Sequence, residues 1–192
     1  MISEGDSSML EYQYLVGGCL CLAVSLYILG KSRQTAVQSL MSLFGFVTTA
    51  WEWSLFLFAN APNVAAASNL YSIVLVASHC APAIYFLTLL NLERKKSIAV
   101  NVMAIAPFFV QVAVIPMYFS ESFAFSYGAH GWYATIQGYR LTLVFVSTIF
   151  IVYICSTIFF LVNLIRKTSS LLLRTKYLVL LSSFTLFQAI GT

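Results

Sequence analysis

The sequence predicts an all-α, polytopic helical bundle that lives in a membrane, and three observations predict it. The first is composition: of 192 residues, 60% are hydrophobic and only 8% are charged, with a mean hydropathy of +0.90. A soluble domain of this length cannot hide so much apolar surface, so lipid must serve as its solvent. The second is a series of six apolar runs, each long enough to cross a bilayer or nearly so. The third is the placing of the cations, which collect in alternate loops between those runs.

A membrane span needs about 20 apolar residues at about 1.5 Å of rise each. On that measure the runs at 12–30, 38–58, 69–92, 97–118, 133–165 and 177–192 read as six spans of one domain, 1–192. The first is not a cleaved signal peptide. Such peptides begin with positive charge, whereas Glu4, Asp6 and Glu11 precede this run and its cations, Lys31 and Arg33, follow it. Asn60-Ala61-Pro62-Asn63 marks a turn between spans two and three. Pro82, Pro107 and Pro116 fall within or at the ends of spans, where proline kinks helices and frees carbonyls. The fifth run is too long for a bilayer, so it is expected to tilt or project. The last, Tyr177–Thr192, gives about 24 Å of helix, slightly short of the hydrocarbon thickness. The natural chain is therefore expected to continue, or a C-terminal part to be missing.

Lys31 and Arg33 lie in the first loop, Arg94, Lys95 and Lys96 in the third, and Arg166, Lys167, Arg174 and Lys176 in the fifth. Of the ten Lys and Arg, only Arg140 lies elsewhere. Positive residues stay in the cytoplasm, which puts the odd loops inside and the N-terminus outside. Tyr12, Tyr14, Tyr71, Tyr118, Trp132 and Tyr133 then fall at the outer interface, where amphipathic rings prefer to sit. The net charge of +4 is explained by these loops and is not a nucleic-acid signal. The four cysteines all sit in apolar runs. They read as inert thiols and imply no disulfide framework.

One acid interrupts this pattern. Glu52 stands between Trp51 and Trp53, deep in span two. A charge in hydrocarbon costs roughly 2.5–3.5 kcal/mol on insertion scales, so such a group usually faces a bundle interior and has a partner. One partner is Arg140, two turns into span five on the same side of the membrane. The alternative is that Arg140 snorkels to headgroups while Glu52 is held by hydroxyls such as Thr48 or Thr49, or is carried as the neutral acid. His79, beside Cys80 in span three, has no second metal-ligating side chain near it in sequence. It reads first as an interhelical hydrogen bond and second as a proton sensor. Asn101, Gln111 and Asn163 read the same way, as hydrogen bonds between helices. The loop Tyr127-Gly128-Ala129-His130-Gly131-Trp132-Tyr133 reads as a glycine-bearing return docked by aromatics before span five. Its functional alternative is the lip of an outward-facing pocket. That pocket would take Glu52, Arg140, Trp51, Trp53, His79 and Trp132 as ligand-binding residues.

No phosphate-binding loop, nucleophile elbow or zinc motif occurs, and the last span has no lysine in its apolar part for a retinal Schiff base. With one acid inside a span there is little for general acid–base work. No catalytic residue, metal or cofactor is expected.

An acidic outer N-terminus leads to a basic loop and then to Ala50-Trp51-Glu52-Trp53 in span two. Pro82 in span three, Arg94-Lys95-Lys96, and Tyr127-Gly128 with Trp132 follow. Arg174-Thr175-Lys176 then enters a run ending Phe187-Gln188-Ala189-Ile190-Gly191. This order resembles the N-terminal seven-transmembrane sensor region of prokaryotic histidine kinases, a region also found ahead of diguanylate cyclases. The resemblance covers nearly the whole chain. It implies a sensory input domain in a prokaryotic plasma membrane, with a seventh helix leading to cytoplasmic modules. It implies a homodimer formed through that C-terminal region, with a small molecule, a lipid state or a membrane partner as stimulus. Two departures stand: the seventh span is missing from this sequence, and so is any output module. Neither histidine is placed as a phospho-acceptor, His79 lying in the membrane and His130 outside. The competing expectations are a small transporter, which should show paired broken helices in two repeated halves, and a structural subunit of a membrane complex. No such repeat occurs.

Overall fold

The computed structural model describes residues 4–31, 35–92, 101–102, 104–110, 112–113, 123–128, 131–137 and 141–190. Five helices and one hairpin are complete within them: α1 (Glu4–Leu29), α2 (Ala36–Ala59), α3 (Val64–Leu92), β1 (Phe123–Gly128), β2 (Gly131–Ile136), α4 (Leu141–Lys167) and α5 (Leu171–Ile190). The described residues of span four, 101–102, 104–110 and 112–113, are also helical. Four of the helices, α1 to α4, are long and apolar enough to cross a membrane. The helical class and the membrane character thus follow the sequence.

Local chemistry sets the helix ends. At the start of α2 the Thr35 hydroxyl accepts from the Gln38 amide at 3.3 Å, while the Gln38 side chain accepts from the Thr35 amide at 2.9 Å. This reciprocal capping box satisfies two N–H groups that the first turn leaves free. Asn60 then ends α2, its side-chain amide donating to the Phe56 carbonyl at 2.9 Å. Asn63 opens α3 by accepting from the Ala66 amide at 2.9 Å. The Asn-Ala-Pro-Asn turn is therefore two caps back to back, and α3 starts at Val64 rather than at residue 69. Pro82 lies buried inside α3 without ending it.

The fifth span departs most from expectation. Tyr133 to Ile136 is strand, not helix, and the helix begins at Leu141. Only the start of the 133–165 run is a hairpin outside the helix; α4 itself has 27 residues, about 40 Å, still longer than the roughly 30 Å of a hydrocarbon core. Large and small residues alternate along Phe123–Gly128 with the two-residue period of a strand, and it pairs antiparallel with Gly131–Ile136, Gly128 opposite Gly131. The last helix starts at Leu171, six residues before the expected 177, because Arg174 and Lys176 sit within its first turns.

Consecutive helices α1, α2 and α3 pack antiparallel, α3 and α4 run parallel, and α5 returns beside both. One end of the bundle carries the hairpin and the α2–α3 turn. The other carries Lys31, Arg166 and Lys167, and is called the cationic end below. Near it, Tyr85 and Leu89 of α3, Leu161 of α4 and Phe184 of α5 form a buried cluster. Tyr85 stacks on Phe184 at 4.8 Å between ring centroids, and its hydroxyl donates to the Leu180 carbonyl at 3.1 Å.

Candidate functional site

Glu52 lies on the α1–α2 seam, and that seam is built from small residues. Turn by turn the contacts run Leu15 to Trp53, Gly18 to Thr49, Cys21 to Gly45 and Ser25 to Ser42. The Trp53 indole N–H donates to the Leu15 carbonyl at 3.4 Å, the Thr49 hydroxyl to the Gly18 carbonyl at 3.2 Å, and the Ser42 hydroxyl to the Ser25 carbonyl at 2.9 Å. Between lipid-solvated helices there is no net apolar driving force. Close backbone approach and interhelical hydrogen bonds replace it, at about 0.6 kcal/mol for an average bond. At Gly18 any Cβ would overlap the Trp53 indole. At the neighbouring Gly17, a Cβ would stand 3.6 Å from the Glu52 carboxyl carbon, in ordinary contact. The two glycines thus form a notch that receives Trp53 and Glu52 side by side.

The other predicted site residues face elsewhere. Trp51 is buried on the opposite seam, against Val74 and Ala77 of α3. His79 points to α4, its ring 5.1 Å from that of Phe150, and its Nδ1 is 2.7 Å from the Leu75 carbonyl of its own helix. His79 is about 140° round α3 from Val74 at 100° per residue, so it does not share the Trp51 face. Among the described residues its hydrogen-bond partners are the Leu75 carbonyl and the Ser78 hydroxyl, both of its own helix. Asn101 does reach a second helix, its amide 3.5 Å from Asn91 Oδ1.

Trp132 belongs to a third place. Its indole N–H donates to the Ala61 carbonyl at 2.7 Å, in the α2–α3 turn. Phe125, Trp132 and Ala134, on one face of the hairpin, cover Phe58, Ala61 and Ala67. Tyr71 completes the plate, its ring 5.3 Å from Phe123, 5.6 Å from Phe125 and 5.1 Å from Phe58. Gly131 adopts φ of 90° and lies so close to the end of α2 that a Cβ would overlap the Ala59 carbonyl. Only glycine meets both demands at no steric cost. The predicted anchoring role of the 127–133 segment therefore takes the form of a strand pair clamped on two helix ends.

Arg140, His130, Gln111 and Arg94 to Lys96 lie outside the described residues, so the Glu52–Arg140 pairing does too. The described residues place Glu52 with Trp53, and they place Trp51, His79 and Trp132 on three other surfaces. Thr49, one of the hydroxyls expected to hold Glu52, donates instead to the Gly18 and Gly45 carbonyls. The residues that sequence reasoning missed are Gly17, Gly18, Ser25, Ser42 and Gly45. Their signal was small side chains recurring at helical spacing on two adjacent apolar runs. Among the described residues no cluster of three or more His, Cys, Asp or Glu could hold a metal ion. Comparison with known protein families, with curated proteins and with solved structures returns no match.

Proposed function

We propose that this chain is the membrane-embedded sensory domain of a two-component type signalling protein, N-terminus outside, in a prokaryotic plasma membrane. What supports the reading most is the hairpin clamp: an element at the outer end, fixed to the α2–α3 turn by Trp132 and Gly131, leads directly into α4. A stimulus that loosens or tightens the clamp pulls on α4, which runs beside α3 to the cationic end. Such a stimulus acts only through a difference in affinity for two helix arrangements. Taking an equilibrium from 1:99 to 99:1 needs about 5.5 kcal/mol of that difference. The Glu52–Trp53 notch on the α1–α2 seam is the second position where a small molecule or lipid would bias the bundle.

The test is a fusion through one further membrane span to a histidine-kinase catalytic core, assayed for autophosphorylation in proteoliposomes. Trp132→Ala and Gly131→Ala both release the clamp and should move basal output several-fold in the same direction. Output unchanged by both removes the proposal.

A further inference from the structure

Among the described residues no Asp or Glu side chain meets the cationic corner between α4 and α5, Glu52 lying on the α1–α2 seam, and the corner's surroundings indicate what supplies a counter-ion. Arg166 and Lys167 occupy the last turn of α4 and are exposed. Thr168–Ser170 link the helices, with the Thr168 amide donating to the Leu164 carbonyl at 3.1 Å and the Arg174 amide to the Ser170 carbonyl at 3.0 Å. Arg174 and Lys176, also exposed, follow within the first two turns of α5. Four cations are thus held by two helix ends joined through three residues.

The sequence contains no Asp or Glu after Glu121, so the whole segment from Ser122 to Thr192 is free of acid. In the first, third and fifth loops of the sequence the only acid is Glu93, against nine Lys and Arg. Apolar surface accompanies the charge: Leu171, Leu172 and Leu173 are 79, 67 and 43% exposed at the level of Arg166 and Lys167. Water is a poor neighbour for three adjacent leucines, and hydrocarbon is a poor neighbour for four cations. The headgroup layer of a bilayer accepts both: the leucines lie against its apolar components, Arg166 and Lys167 meet phosphates at the same level, and Arg174 and Lys176, about one turn further into α5, snorkel back to them. Arg174 and Lys176 also lower the apolar character of α5, whereas α1 to α4 are each long and apolar enough to cross a membrane.

We propose that the α4–α5 corner is a docking site for anionic phospholipid headgroups, and that α5 depends on it to stay seated in the bilayer. This goes beyond the signalling reading and shares with it only the membrane orientation. A basic residue near an anionic surface multiplies the preference by about fivefold.

The test uses the full chain reconstituted in equal-parts phosphatidylglycerol and phosphatidylcholine, with retained lipid counted by native mass spectrometry. Wild type should retain phosphatidylglycerol over phosphatidylcholine at least about tenfold. The quadruple variant Arg166→Gln, Lys167→Gln, Arg174→Gln, Lys176→Gln should retain both alike, while Lys31→Gln leaves the preference intact. The double variant Arg166→Gln, Lys167→Gln alters only the end of α4. It should lose a large part of the preference, which guards against misinsertion of the quadruple. Equal retention of the two lipids by wild type overturns the proposal, as does a preference undiminished in both variants. Release of the lipid by soluble glycerol phosphate at its own concentration would point to a phosphate site without a membrane and overturn it as well.

Discussion

Substituting Gly18 with alanine should destabilise the bundle far more than a single methyl group suggests. The added Cβ would overlap the Trp53 indole, which is wedged between α1 and α2 and is not the free end of a flexible chain. Forcing one extra carbon into a packed contact costs about 1–3 kcal/mol. Moving the indole also breaks the Trp53 bond to the Leu15 carbonyl, and separating the helices lengthens the Thr49 bond to the Gly18 carbonyl. Bonds of this kind average about 0.6 kcal/mol each in membrane bundles. The total comes to about 2–4 kcal/mol, most of it owed to one neighbour. The assay is a double-mutant cycle with Trp53→Ala, read as reversible unfolding in mixed micelles. Because the clash needs both groups, Gly18→Ala should cost at least about 1 kcal/mol less in the Trp53→Ala background. A Gly18→Ala change within about 0.5 kcal/mol of wild type, or additivity with Trp53→Ala, would refute the close-approach account.

Three further outcomes follow from the caps and the clamp. Thr35→Ala removes the α2 capping box and should cost about 1 kcal/mol, measured by the same unfolding assay. Trp132→Phe keeps most of the ring packing but loses the bond to the Ala61 carbonyl; hydrogen exchange at hairpin amides should speed up by about fivefold to tenfold while helix amides stay protected. Tyr85→Phe leaves the stack on Phe184 in place and removes the donor to the Leu180 carbonyl, so a loss of about 1 kcal/mol is expected, against about 3–5 kcal/mol for Tyr85→Ala.

Helix existence was legible because apolar run length is nearly all that a bilayer demands of a span. Helix ends were less so. Gln38 looked like the first residue of span two, whereas the helix is set by Thr35 three residues earlier, through a T-x-x-Q capping pattern that was present to be seen. The hairpin was hidden for a physical reason: Tyr133 to Ile136 is apolar enough to merge with the run that follows, and a six-residue strand cannot be told from a helix start by composition. Its glycines at 128 and 131 were the available signal. In the candidate site, the intramembrane acid stood out at once, but its setting did not. Adjacent residues on a helix point about 100° apart, so Trp51, Glu52 and Trp53 could never share one surface. The seam that receives Glu52 was written in α1, as Gly17 and Gly18, some thirty-five residues away.

The two halves of the bundle are held by different physics, and the difference decides where motion is cheap. Between α1 and α2 the contacts are largely glycines, hydroxyls and one indole, with Ser42, Thr49 and Trp53 donating to carbonyls across the seam and Ser25 to the Cys21 carbonyl of its own helix. Lipid cannot substitute for these, since acyl chains neither accept hydrogen bonds nor fit a glycine notch. Between α3, α4 and α5 the contacts are mostly rings and leucines, such as Phe86 against Tyr153 and Tyr85 with Leu161 and Phe184. An acyl chain is nearly as good a neighbour for those side chains as another helix is. Rearrangement therefore costs less on the α4 side than on the α1 side. The hairpin is joined to α4 by chain and to the α2–α3 turn by Trp132, so it bridges the stiff pair and the pliable one. An element in that position gains leverage from the contrast: displaced, it moves α4 against a partner that stays put.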